Sequence, residues 1–148
     1  MSSLMKFIQT GLLGDISIGL ERNVIEEILG EPQDISVSAK PRIAKYGSIQ
    51  FSFPGDNPHD TLQSIHLYFD EVIEFPQGLQ FEGWLPHKEI GVKEFLDCAK
   101  QLNVVLEEDS LHTFKNLQLG FKSKAEVIVI FYIEEGVEKL YSIHLSKK

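Results

Sequence analysis

The chain has a single cysteine, Cys98, so it cannot close a disulfide within itself, and a reducing compartment is expected. No stretch approaches the roughly 18 consecutive apolar residues that a membrane helix needs, and none of the opening residues forms the apolar core of a secretory signal. The expectation is a cytoplasmic protein that does not enter membranes. Basic residues are also scarce: 14 Lys and Arg stand against 22 Asp and Glu, a formal charge of −8, and the few cations are scattered. Nucleic-acid binding needs clustered Lys and Arg to neutralise phosphates, so that class is excluded. A Gly-rich phosphate loop, a nucleophile elbow, metal-spaced His or Cys pairs and a kinase signature are likewise missing. No cofactor, no metal and no enzymatic activity are expected.

What is present is a core and a repeat. With 43% hydrophobic residues, 148 residues suffice for one domain that folds without staples. The pattern Leu-x-Ser-Ile-His-Leu occurs at Leu62 to Leu67 and again at Leu140 to Leu145, a shift of 78 (142 − 64 for the serines). A shift slightly over half the chain implies two copies of one unit, residues 1-70 and 89-148, joined by a connecting segment, 71-88.

In the first copy, Leu20, Val24, Ile25, Ile28 and Leu29 form an apolar stripe at helical spacing, with Gly30 and Pro32 as its stop. Leu4, Phe7 and Ile8 form another helical turn before the break at Gly11 to Gly14. After Pro41 the period changes to two: Ile43, Ile49, Phe51 and Phe53, then Ile65, Leu67 and Phe69, a hairpin whose long tip is Pro54 to Asp60. In the second copy, Val92, Phe95, Leu96, Ala99 and Leu102 predict an amphipathic helix from Gly91 to Asn103. Strand-like pieces follow at Val104 to Leu106, His112 to Phe114 and Leu117 to Phe121, and a hairpin pairs Val127 to Ile133 with Leu140 to Leu145. Aligned on the repeated pattern, Ile49 to Phe53 meets Val129 to Ile133. The connecting segment holds Phe75, Leu79, Phe81, Trp84 and Leu85, too apolar for a free linker, and is expected to dock as one more strand. The fold class is α+β: two tandem helix-plus-hairpin units forming a mainly antiparallel sheet with helices on one face.

The stretch Gly19-Leu20, then Ile25, Ile28, Leu29, Gly30 and Pro32 resembles the opening repeat signature of the β-lactamase inhibitor protein and the small outer-membrane assembly lipoproteins. The resemblance covers about fourteen residues of the first copy and implies a tandem scaffold whose sheet face or hairpin tips grip another protein. Departures are plain: Glu21 stands where the pattern has a capping hydroxyl, the second copy lacks the Leu-Gly-x-Pro ending, and no lipid-carrying cysteine stands near the start. The acidic single-domain character is also similar to that of the immunity partners of bacterial toxins.

His66 and His144 occupy equivalent repeat positions and are expected on the same side of the sheet as their serine neighbours. As a facing pair they have the chemistry of metal ligands, although half-exposed strand positions explain them as well. Cys98, beside Ala99 on the amphipathic helix, is read as a boundary residue rather than a nucleophile. Acidic groups cluster at Asp70 and Glu71 and at Glu107, Glu108 and Asp109, in stretches expected to be solvated turns. With Trp84 as an aromatic anchor, these six residues are the expected contacts for a protein partner. The favoured function is a non-enzymatic immunity protein that neutralises a basic toxin such as a nuclease. The rival readings are a small-ligand binder or enzyme using the concave sheet, and a module that self-assembles through strand edges.

Overall fold

The computed structural model describes residues 3–36, 40–69, 72–87 and 89–148. In chain order it contains α1 (Leu4–Thr10), α2 (Arg22–Leu29), β1 (Asp34–Ile35), β2 (Arg42–Tyr46), β3 (Ile49–Phe53), β4 (Ser64–Tyr68), α3 (Val92–Gln101), β5 (Leu106–Glu108), a 3-10 turn (Ser110–His112), β6 (Gln118–Ser123), β7 (Ile128–Glu134) and β8 (Val137–Ser146). The strands form one eight-stranded antiparallel sheet in the order β1-β2-β3-β4-β8-β7-β6-β5. Two four-strand meanders therefore meet at β4 and β8, and the fold is α+β around a sheet core.

The helices end where the sequence says they must. At the C-terminus of α1, Gly11 takes φ +81° and returns its N–H to Phe7 O, and Gly30 closes α2 at φ +80° with its N–H on Glu26 O. In α3 no glycine is available, and Asn103 adopts φ +61° while Val104 N–H reaches Ala99 O at 2.8 Å. Asparagine is the next-best residue for that left-handed position, so α3 ends without a Leu-Gly-x-Pro stop. The start of α2 solves its missing hydroxyl differently. Glu21 makes no side-chain cap; instead the β3–β4 loop supplies carbonyls, Asp60 O to Arg22 N–H and Pro58 O to Asn23 N–H, both at 2.9 Å. The long hairpin tip is thus the cap of a helix. At α3 the first free N–H, that of Val92, meets the Glu138 carboxylate of β8 at 3.4 Å.

One face of the sheet carries the main core. Ile49, Phe51 and Phe53 of β3, Ile65 and Leu67 of β4, Val129 and Phe131 of β7 and Ile143 of β8 are all essentially inaccessible. Rings interlock edge-on from Trp84 to Phe95 (5.2 Å), Phe95 to Phe131 (5.5 Å) and Phe131 to Phe121 (6.1 Å), which ties α3 and the connecting segment to the sheet. Tyr46 sends its hydroxyl to Gly30 O at 2.8 Å and so joins β2 to the end of α2.

Four expectations are corrected. The period-two run in β2 faces the other way: Ala44 and Tyr46 are buried and Ile43 is exposed, because the register sets Ala44 opposite Phe51 and Ile43 opposite Ser52. The connecting segment forms no strand among its described residues. It docks by Leu79, Phe75, Phe81 and Trp84 and by Glu74 O accepting from Ser48 N–H at 2.7 Å; Gly78 permits this approach, since a Cβ there would lie 2.4 Å from Ile28 O. His112 begins no strand but closes the 3-10 turn. The strands preceding the two Ser-Ile-His patterns also align differently from the expected match of Ile49 with Val129: Phe51 and Val129 each stand opposite the isoleucine, Ile65 and Ile143, a shift of 78.

Truncation of Phe131, wholly buried between two other rings, is expected to cost about 3–5 kcal/mol as Phe131→Ala, measured by urea denaturation. Leu111→Ala, at a 79% exposed site, should change stability by less than about 0.5 kcal/mol.

Candidate functional site

The second face of the sheet is of a different kind. Alternation along β4 and β8 turns Ser64, His66 and Tyr68, and Ser142 and His144, away from the main core. The register sets His66 directly opposite His144 at the junction of the two meanders. Their rings stack at 4.9 Å and 16°. From this pair a connected chain of six rings crosses the face: Tyr132 on Tyr141 (4.2 Å), Tyr141 on Tyr68 (5.6 Å), Tyr68 on His66 (5.8 Å), His66 on His144, and His144 on His112 (5.6 Å). Tyr132 is exposed and the other five are half-buried.

One end of this ribbon is covered by chain. The segment after β5 folds back through the 3-10 turn, and His112 lies over Gly120 of β6, where a Cβ would sit 2.5 Å from that of His112. Only glycine permits this contact. Asp109 N–H donates to Gly120 O at 2.8 Å, Gly120 N–H donates to Thr113 Oγ1 at 3.1 Å, and the Gln118 amide donates to His112 O at 2.8 Å. Beneath lie Ile128 and Ile130, buried but outside the main core cluster. The outer side of the same stretch is apolar, with Val105, Leu111, Phe114 and Leu117 all more than half exposed.

The charges follow from this burial. His144 is pushed down to about 4, first by burial and then by the neighbouring His66 and His112, and burial also lowers His66. The Nδ1 of His144 is buried without a hydrogen-bond partner. Asp109 is held below the usual carboxylate range by the hydrogen bond from His112 Nδ1, 2.5 Å from its Oδ2, against an opposing contribution from its burial.

The residues expected at a partner surface are not brought together. Glu107 and Glu108 are exposed on β5 at the edge of the sheet. Asp109, expected in a solvated turn, is 8% exposed and turned inward onto His112. Trp84 is half-buried and packs edge-on against Phe95, far more a docking residue of the connecting segment than an open anchor. Asp70 and Glu71 lie outside the described residues. The near-parallel imidazoles of His66 and His144 do not converge their nitrogens on one point, and among the described residues no group of three or more His, Cys, Asp or Glu is arranged to hold a metal. A cleft of about 390 Å³ between α1 and the connecting segment, lined in part by Lys6, Asp15, Ile28 and Leu79, contains no histidine. Tyr68, Tyr132, Tyr141 and His112 escaped sequence reasoning; the one available signal was the repeated Ser-Ile-His, which placed two of the six rings.

No family model matches the chain, and no curated protein or solved structure matches it.

A base whose folded pKa is lowered costs stability in acid. The unfolded chain takes up its proton as pH falls through about 6.5, the native His144 only near 4, so the stability is complete above about 6.5 and is lost between 6.5 and 4. That loss is expected to reach about 3 kcal/mol for wild type. Urea midpoints measured from pH 7.5 to 4 should fall less steeply in His144→Phe. Cobalt or zinc titration is expected to leave the melting temperature unchanged.

Proposed function

We propose that the protein is a non-enzymatic, cytoplasmic binding protein that engages a basic protein partner through its aromatic sheet face, most concretely an immunity protein that neutralises a toxin such as a nuclease. The observation that carries this reading is the six-ring ribbon: tyrosines and histidines laid side by side across three strands and the 3-10 turn offer large, rigid contact area at little entropic cost, the composition of binding hot spots. An open sheet with stacked rings also suits single-stranded nucleic acid. The net charge of −8 and the lack of clustered Lys and Arg weigh against that reading.

The charge favours a cationic partner instead. Glu107 and Glu108 on the sheet edge steer it in, and the exposed Leu111, Phe114 and Leu117 beside them extend the contact. Two copies of a helix-plus-hairpin unit, joined back to back at His66 and His144, supply a broad platform of the sort implied by the resemblance to the β-lactamase inhibitor protein. Function then consists of steering followed by occlusion of the toxin's own cationic surface.

Tagged protein is expected to capture a stoichiometric basic partner from native lysate at low salt, or from the product of the adjacent gene, and to release it as salt is raised. Tyr68→Ala and Tyr132→Ala should each weaken binding about tenfold or more in calorimetry, mainly through dissociation. Charge reversal as Glu107→Lys with Glu108→Lys should slow association and flatten its salt dependence. A complex insensitive to salt, or one that ignores both tyrosine variants, would refute the reading.

A further inference from the structure

The stretch that covers the end of the ribbon is fastened by groups of an unusual kind. From Asp109 to Asn116 its contacts on the sheet face are the His112 ring against His144 and a few backbone and side-chain bonds to Gly120 and Gln118, the Asp109–His112 hydrogen bond lying within the stretch itself; from Leu117, whose carbonyl accepts from Ile133 N–H of β7 at 3.0 Å, the chain belongs to the sheet. No large apolar side chain of the stretch is buried: Leu111 and Phe114 both point to solvent. His144 is sandwiched between two other imidazoles, and its Nδ1 has no acceptor.

We infer that residues 109–116 form an acid-released flap, held on the sheet face while the histidine stack is uncharged and freed when it is protonated, with the sheet beneath remaining folded. A proton on His144 would have no hydrogen-bond acceptor at Nδ1 and would place like charges against the rings on either side. The remaining groups do not compensate. On β4 the neighbours are His66 and Tyr68. On β8 they are Ser142, Ser146 and Tyr141. On β7, Ile128 stands opposite His144 and the nearest titratable side chain is Tyr132. On β6, Lys122 stands opposite Ile128, adding positive charge, and on β5 Glu107 is in register with Lys122. On β3, Gln50 faces His66, with Lys45 of β2 beyond it. Asp109 is the carboxylate bonded to the cluster, and His112 already holds it. Relief comes by lifting His112 and hydrating the rings, which detaches the flap because little else secures it.

The opening does not depend on any partner; only its consequence, loss of the apolar contacts of Leu111 and Phe114 from a bound protein in acid, rests on the protein-binding reading above. Hydrogen exchange of the free protein at pH 7.5, 6.0 and 4.5, corrected for intrinsic rates, separates the two. Amides of Asp109, Phe114, Gln118 and Gly120 are expected to lose at least tenfold in protection between pH 6.0 and 4.5, while those of β4 and β8 keep theirs. In His144→Phe, which keeps an aromatic ring in the stack but cannot be charged, the local loss should vanish. In His66→Phe, where one like charge is removed and burial is kept, the closed state tolerates a proton on His144 better, so the midpoint of opening should move to lower pH, an independent check if the first variant folds poorly. The inference is overturned if protection of the flap amides and of those bonded to it is constant with pH, if it is lost together with β4 and β8, or if an intact His144→Phe opens as wild type does.

Discussion

The pairing of β4 with β8 is the contact on which the rest of the structure depends. It is the seam between two meanders, and each of its faces has a separate task. On one face Ile65, Leu67 and Ile143 join the main core; on the other His66 and His144 stack. Antiparallel neighbours fix both faces at once, because a slip of one residue would exchange them. The apolar face gives the register its energy, and the histidine face gives it a surface that no other arrangement of these strands would produce.

Most of the architecture was legible because it rests on local physics. The helix stops at Gly11 and Gly30, the amphipathic stripe of α3, the period-two runs of β3 and β4 and the continuous apolar run of β7 each follow from residues adjacent in sequence. The errors lie where a distant part of the chain decides. Ile43 looked inward by composition, yet the register against β3 gives that place to Ala44. The connecting segment has the apolar content of a strand but spends it on separate anchors, Leu79, Phe81 and Trp84, with only isolated backbone bonds such as Ser48 N–H to Glu74 O in place of a ladder. Glu21 made the α2 start look uncapped, and the missing acceptors came from a loop almost forty residues away.

The ribbon was illegible for the same reason. Tyr68, Tyr132 and Tyr141 are unremarkable in sequence, and nothing local says that Asp109 turns inward to His112 while Glu107 and Glu108 stay in water. The acidic surplus is thus not spread evenly. The sheet face is lined by rings and hydroxyls, with Lys45 and Lys122 in register beside its buried histidine pair, while Glu107 and Glu108 sit at its margin.

A register irregularity between Ile130 and Phe131 separates Leu140 from Ile143 by three positions although both are buried on the core side. Strict alternation would not allow this; Tyr141 is the extra residue, and it stands on the aromatic face. Leu62 is likewise buried three residues ahead of Ile65, so the repeated Leu-x-Ser-Ile carries in its spacing a deliberate break in period two. The bulge therefore carries a ring rather than a register. The tight turn at Glu135 and Gly136 can gain residues at solvent-exposed positions with no effect on either face. Deletion of Tyr141 would remove the bulge and restore strict alternation, with Ile143 still in the core and His144 still in the ring stack, so β8 can lose that residue at the cost of one ring of the ribbon.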